Sequence, residues 1–130
     1  MPTTVLVTQT FEAWLDVQTA QVKKQVNFVI GLLEMEGVQL GAPYSSAING
    51  GTISLRELRP AAGKSPARVF YVFDPDRNAV VLCGGSKNDA GDLYETAKLT
   101  AATEFESHLK AVADEKEKKR KEVAKKKKQK

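Results

Sequence analysis

Residues Ala67-Arg68-Val69-Phe70-Tyr71-Val72-Phe73 form a run of β-branched and aromatic side chains that reads as a strand. Asp74-Pro75-Asp76-Arg77-Asn78 follows as a tight reversal, and Ala79–Cys83 reads as the next strand, ending at Gly84-Gly85. Upstream, Ile48-Asn49-Gly50-Gly51-Thr52 carries a turn signal and Thr52–Arg59 reads as a third strand. Pro60–Pro66, with Gly63 and Ser65, is expected to be a surface loop. Three neighbouring strands joined by short turns imply an antiparallel meander, on which the remaining elements must pack.

Outside this region the apolar spacing changes to three and four. Phe11, Trp14 and Leu15, then Val22, Val26, Val29, Ile30 and Leu33, describe two amphipathic helices. Asp16–Thr19 interrupts the stripe, which predicts a corner with Thr19 as N-cap and a longer helix to Glu36, stopped by Gly37. Val38–Ser46 reads as loop, and Thr4–Thr8 as an edge strand. Asp92 and Glu95 have capping-box spacing, and Leu93, Ala97, Ala101, Phe105, Leu109 and Val112 continue as an i+4 stripe. The expected fold is α+β: an N-terminal helical hairpin on a small antiparallel sheet, followed by a C-terminal helix.

Composition removes several chemistries. The chain has 130 residues, room for one domain. Its single cysteine, Cys83, excludes an internal disulfide and any Cys-clustered zinc or iron–sulfur site. Its single histidine, His108, removes the usual metal constellations and His-dependent triads. No apolar run approaches the roughly 20 residues that span a bilayer. Met1–Gln9 lacks the basic start and long apolar stretch of a signal peptide. A cytoplasmic, metal-free domain is expected, without a membrane partner or a small-molecule cofactor.

The net charge of +4 is unevenly spread. Residues 111–130 hold ten basic and four acidic groups, and residues 1–110 hold ten basic and twelve acidic. The expected organisation is therefore a domain over 1–110 and a Lys-rich tail over 111–130, read as a frayed helix passing into disorder. Such a tail raises non-specific affinity for RNA or ribosomes, or is a solvated tail with no dedicated partner. Within the body, six of the ten basic residues (Arg56, Arg59, Lys64, Arg68, Arg77 and Lys87) fall between positions 56 and 87, against three acids. That stripe suggests a local anion site.

Alternation decides which of these cations share a face. Leu55, Glu57 and Arg59 lie on one side of their strand, with Arg56 and Leu58 on the other. Arg68, Phe70 and Val72 share one side of the next, opposite Val69, Tyr71 and Phe73. Arg59 leaves one strand where Arg68 enters the next, and Lys87 follows the third, so three cations are expected to converge at one end of the sheet. Gly84-Gly85 is expected to admit a ligand close to the main chain. The cluster suits a phosphodiester, because arginine matches phosphate oxygens and stays charged as negative charge develops. A lysine crowded by arginines has its pKa pushed down and becomes a candidate general base. The competing reading pairs Arg59 with Glu57, and Arg68 with Asp74 or Asp76, as surface ion pairs of at most about 1 kcal/mol each. Tyr94, in the first turn of the last helix, either stacks on a base or packs across the helix–sheet seam. His108 reads as a surface histidine, and Cys83 as a small core residue.

The runs Leu55-Arg56-Glu57-Leu58-Arg59-Pro60, Ala67–Pro75 and Val81-Leu82-Cys83-Gly84-Gly85-Ser86-Lys87 resemble the RelE/ParE superfamily of type II toxins, in its HigB-like, phage Gp49-like branch. Trp14-Leu15, Leu40-Gly41-Ala42-Pro43 and the Tyr94-Glu95-x-Ala97 helix start fit the same template. The resemblance covers about residues 5–110. It implies a RelE-like fold and a toxin held inactive by a cognate antitoxin. It also implies a ribosome-dependent, metal-independent endoribonuclease, with the ribosome and mRNA as partners. Carried over, the catalytic residues are Arg59, Arg68 and Lys87, with Arg56 and Tyr94 as RNA contacts. Ser86-Lys87-Asn88 departs from the double lysine or Asp-Lys of related sequences, and the C-terminal His and acidic residues of some relatives have no counterpart. The superfamily also contains inhibitors of DNA gyrase without nuclease activity, and an inactive antitoxin-binding module is the third alternative. Arg68→Ala is expected to remove toxicity while the protein stays folded.

Overall fold

The structure is a computed structural model that describes residues 2–89 and 91–128. Strand β1 (Val5–Val7) leads into helices α1 (Gln9–Asp16) and α2 (Ala20–Glu36). Strands β2 (Ser45–Ala47), β3 (Arg56–Leu58), β4 (Ala67–Phe73) and β5 (Ala79–Ser86) follow, and helix α3 (Leu93–Lys128) closes the order. The sheet order is β1-β5-β4-β3-β2.

The expected meander is present, but the sheet is mixed. β2 through β5 pair antiparallel, whereas β1 lies parallel to β5, with Val5 opposite Ala79 and Val7 opposite Val81. β2 begins inside the segment expected to be loop, and β3 is shorter than the expected Thr52–Arg59. Gly50 and Gly51, both at φ +84°, turn the chain there. The Ile48 amide donates to the Leu55 carbonyl at 2.9 Å and closes the hairpin. Ser45-Ser46-Ala47 has little intrinsic strand preference; pairing with β3 decides its conformation.

Helix ends follow local chemistry. The Thr19 hydroxyl accepts from the Val22 amide at 3.2 Å, and Gly37 at φ +57° ends α2 with its N–H on the Leu33 carbonyl. Thr8 caps α1 by accepting from the Phe11 amide at 3.0 Å, and its hydroxyl donates to the Leu82 carbonyl at 2.7 Å. Asp92 caps α3 by accepting from the Tyr94 and Glu95 amides. The reciprocal half of the box is not made, because the Glu95 side chain pairs with Lys98 at 3.1 Å instead.

The sheet is the middle layer. On one face Val69, Tyr71, Ala79 and Val81 pack with Phe11, Val26, Val29 and Leu33 of the hairpin. On the other, Phe70, Val72, Val80, Leu82 and Cys83 pack with Ala97 and Ala101 of α3. Leu82 and Cys83 share a face because β5 is bulged. Phe70 pairs with Cys83 and Tyr71 with Val81, which leaves Leu82 as the additional residue. The Lys-rich tail, expected to be helical or disordered, continues α3 as helix through Lys128. Gln129 and Lys130 lie outside the described residues.

The glycine pair does not admit a ligand. A Cβ at Gly84 would lie 2.4 Å from the Trp14 ring, and one at Gly85 would lie 2.4 Å from Leu93 Cδ1. The two glycines let a hairpin side chain and an α3 side chain approach the β5 backbone closely. The Trp14 indole is rigid, whereas the Leu93 terminus has rotamer freedom. Gly84→Ala is therefore expected to cost about 1–3 kcal/mol and more than Gly85→Ala. Urea unfolding of both variants measures that order.

His108 is not a surface histidine. Its side chain is 15% exposed, and Nε2 lies 2.8 Å from Asp74 Oδ2 in the β4–β5 turn. Asp74 also accepts from the Asp76 and Asn78 amides, each at 2.9 Å. Burial raises the Asp74 pKa, but the hydrogen bonds from His108 and Asn78 outweigh it and hold the carboxyl below its ordinary value. A depressed folded-state pKa contributes stability above the unfolded value near 3.9, and that contribution is lost as pH falls through the folded value. Asp74→Asn is expected to cost about 2 kcal/mol at neutral pH. The difference between wild type and variant should shrink as pH falls below about 4, measured by urea unfolding across pH.

Candidate functional site

The basic stripe folds around a buried carboxylate. Glu57 pairs across with Phe70 and Arg68 with Gly85, so both face the α3 side of the sheet. Arg68 is 2% exposed, and its Nη1 donates to the Ser65 and Ala67 carbonyls at 2.6 and 2.7 Å. Its Nε stands 3.8 Å from Glu57 Oε2, and Arg59 Nε stands 3.9 Å from Glu57 Oε1. Both separations exceed a hydrogen bond. Glu57 Oε2, Arg59 Nε and Arg68 Nε have no hydrogen-bond partner. The carboxylate is thus flanked by two guanidinium groups through charge alone. One positive charge is left over, and of the two arginines only Arg59, 34% exposed, reaches solvent.

The neighbouring loop shapes itself to Arg59. Its guanidinium lies over Gly63, where a Cβ would stand 3.1 Å from Nη2. Ala61 and Ala62 at φ +54° and Gly63 at φ +90° are three consecutive left-handed residues. This conformation costs roughly 1–2 kcal/mol at each non-glycine position. Buried Pro60 and Ser65 show that this loop, expected at the surface, is part of the packed structure.

Lys87 continues the same face. Its amide donates to the Pro66 carbonyl at 3.0 Å, one step of alternation beyond the Arg68–Gly85 pair and about 7 Å along the strand. The exposed ammonium stands 5.7 Å from the Tyr94 ring centre. That ring meets Phe70 edge-to-face at 6.1 Å. Tyr94 therefore packs across the seam with one side and meets a cation with the other. Lys87, Gly91, Asp92, Leu93 and Tyr94 line an open depression beside it.

Other sequence candidates lie elsewhere. Arg56 is on the opposite face from Glu57, and its Nε stands 3.3 Å from both Ser45 Oγ and Tyr71 Oη. It does not join Arg59, Lys87 and Tyr94. The expected partners of Arg68 are otherwise engaged, Asp74 with His108 and Asp76 with Lys116. Arg68 pairs in the interior with Glu57. Burial, with the Glu104 charge adding to it, pushes the Cys83 thiol up to about 12, so this cysteine is a core residue and no nucleophile. Glu57 itself was missed as a hub, although its alternation with Arg59 was the available signal. Among the described residues, no group of three or more His, Cys, Asp and Glu is arranged to hold a metal ion.

Known proteins share this framework. The family model described as Phage derived protein Gp49-like (DUF891) matches residues 13–106. The chain belongs to the Gp49-like family. It is 36% identical over 112 residues to HigB2 of Mycobacterium tuberculosis (strain ATCC 25618 / H37Rv), which is named as a candidate toxin. That alignment covers 84% of this chain and 56% of HigB2, so the chain spans about half the length of that relative. HigB3 of the same organism, also named as a candidate toxin, is 37% identical over 84 residues, 64% of this chain and 72% of HigB3. The toxin–antitoxin complex RelBE2 from Mycobacterium tuberculosis contains a chain matched over its full length and 67% of this one, at TM-score 0.52 and 19% identity. A metal-bound toxin from Helicobacter pylori is matched over its full length and 70% of this chain, at TM-score 0.50 and 21% identity. These structures share the α+β fold, as the HigB-like, Gp49-like resemblance implied. Among the described residues, no helix is long and apolar enough to cross a membrane.

The buried triad makes a stability prediction. Glu57→Ala strands two guanidinium groups, one of them wholly buried, and is expected to cost about 3–5 kcal/mol. Arg59→Ala removes a half-exposed partner and is expected to cost about 1 kcal/mol. Chemical denaturation of the two variants measures the gap.

Proposed function

We propose that this protein is the toxin of a type II toxin–antitoxin pair, held inactive by a cognate antitoxin, and that it cleaves ribosome-bound mRNA. Membership of the Gp49-like family and the names of HigB2 and HigB3 support the toxin reading. The single observation that carries the chemistry is one face of the sheet. Strand alternation puts the half-exposed Arg59 on this side of the sheet, and the exposed Lys87 with Tyr94 beside it extends the same side, which supports reading them as one site.

In the proposed reaction the ribose 2′-oxygen attacks the adjacent phosphorus, and the 5′-oxygen of the next nucleotide leaves. The products are a 2′,3′-cyclic phosphate and a free 5′-hydroxyl. Arg59 neutralises the charge that builds on the phosphoryl oxygens, work for which a planar guanidinium is suited. Lys87 is the candidate base for the 2′-hydroxyl proton, and solvent water supplies the proton taken up by the leaving 5′-oxygen. A base stacks on the Tyr94 ring once the exposed Lys87 ammonium moves off it toward the 2′-hydroxyl. Arg68 acts as a positioning residue. Its guanidinium is committed to the Ser65 and Ala67 carbonyls and to Glu57, which flanks Arg59. Arg56, on the far face, has no part in the step.

The burial of Arg68 changes the experiment. Arg68→Ala would leave Glu57 and two carbonyls unpaired in the interior, so a loss of toxicity there would report unfolding as readily as lost chemistry. Arg59→Ala and Lys87→Ala alter exposed groups and are the cleaner variants. After brief induction, wild-type protein is expected to create new mRNA 5′ ends phased to the reading frame. Arg59→Ala should reduce them by about 100-fold or more, with Lys87→Ala lower by a similar order. Arrested growth with an unchanged 5′-end map would overturn the nuclease reading. An SOS response in that setting would indicate gyrase as the target.

A further inference from the structure

Helix α3 is much longer than its packing requires. From Leu93 to Lys128 it contains 36 residues, about 54 Å at 1.5 Å per residue. Its first part lies on the sheet through Leu93, Ala97, Ala101 and Phe105, and His108 then pairs with Asp74. Leu109, Val112 and Lys116 line the β4–β5 turn, where Lys116 Nζ meets Asp76 Oδ1 at 3.1 Å. Among the described residues this is the last tie between α3 and the body.

Residues 117–128 carry eight basic groups (Lys118, Lys119, Arg120, Lys121 and Lys125 to Lys128) against two acids, Glu117 and Glu122. Lys118 to Lys121 and Lys125 are exposed. At 100° per residue Lys118, Lys119, Arg120 and Lys121 by themselves go round the helix instead of forming one stripe. The only large apolar residue is Val123, itself 52% exposed. A helix that lies on a membrane needs an apolar face, and a helix that docks in a protein groove needs anchors at i, i+3, i+4 and i+7. This segment has neither. What remains is dense positive charge on all sides, which suits the phosphate backbone of a nucleic acid.

The location separates this segment from the candidate site. α3 begins over Gly85, beside Lys87, and reaches the β4–β5 turn at the other end of the same strands. About 35 Å of helix lies between Leu93 and Lys116. We propose that residues 117–128 form a phosphate-binding arm that anchors the protein to a large structured RNA at a second point, remote from the Arg59–Lys87 face. Two anchors on one RNA raise the effective concentration of the site without any further contact there. Short oligonucleotides cannot reach both points. Phosphate binding by the arm stands on charge and placement alone; its role as a second anchor rests on the proposed reading of the Arg59–Lys87 face.

The test compares the full chain with a variant carrying Lys118→Gln, Lys119→Gln, Lys121→Gln and Lys125→Gln, which keeps helix propensity and removes charge. Binding to an RNA duplex of about 30 base pairs is followed by fluorescence anisotropy between roughly 50 and 300 mM salt, without ribosomes. Circular dichroism checks that the helix persists. The slope of log affinity against log salt is expected to fall by about three to four, and affinity near 100 mM salt by about tenfold or more. An unchanged slope overturns the proposal. So does arm-dependent binding that is tighter to polyglutamate than to the RNA, which would reassign the arm to an acidic protein. Arm-dependent binding to phosphatidylserine vesicles but not to RNA would likewise overturn it, in favour of a membrane surface. Loss of mRNA cleavage in Arg59→Ala with an unaltered salt slope would leave the arm standing whatever the site does.

Discussion

Strand β4 is buried on both faces, and each face of the molecule is built from its alternate residues. Val69 and Tyr71 belong to the core under the helical hairpin, and Phe70 and Val72 to the core under α3. A one-residue slip of this strand would exchange the two sets and break both cores at once. The same ladder fixes Arg68 opposite Gly85 and therefore fixes where Glu57 and Arg59 meet it. The placement of Glu57 and Arg68 is inherited from the register of the sheet. β5 contributes the complementary device. Its two glycines let Trp14 and Leu93 close on the backbone from opposite sides, and its bulge turns Leu82 and Cys83 onto one face.

Charge is handled in two different ways. In the interior, Glu57 lies between Arg68 and Arg59, and one guanidinium remains available to solvent. Such a cluster contributes little net stability, because the desolvation of its members offsets their attraction. It does define a single position for Arg59, aided by a loop in left-handed conformation at Ala61, Ala62 and Gly63. At the other end of the sheet, the Asp74–His108 pair ties α3 to the β4–β5 turn. Beyond that tie and the Lys116–Asp76 pair, where Arg120 pairs with Glu117, the helix carries a net excess of positive charge. The body and the arm therefore differ in electrostatic role as well as in position.

The legible parts of the fold were those set by neighbours in sequence. The Thr19 and Asp92 caps, the Gly37 stop and the alternation within β4 all depend on groups a few residues apart. The unread parts depended on groups far apart. Ser45-Ser46-Ala47 is a strand only because β3 lies beside it, and β1 is parallel only because it pairs along the edge of β5, about 70 residues later in the chain. Gly84-Gly85 read as room for a ligand, since no local pattern shows that Trp14 and Leu93 occupy that space. His108 read as exposed because its partner lies 34 residues away.

For the site, the sequence by itself determined which side chains share a face, because strand alternation is a local property of the backbone. It separated Arg59 from Arg56 within one strand, set Arg68 with Phe70 and Val72 in the next, and led to the expectation that Arg59, Arg68 and Lys87 meet at one end of the sheet. Only the tertiary structure decided what each cation does there. Burial commits Arg68 to carbonyls and a carboxylate, and leaves Arg59 and Lys87 facing water. Depth below the surface is set by the packing of α3 and the Pro60–Gly63 loop over the strand ends, and no pattern within one strand encodes it.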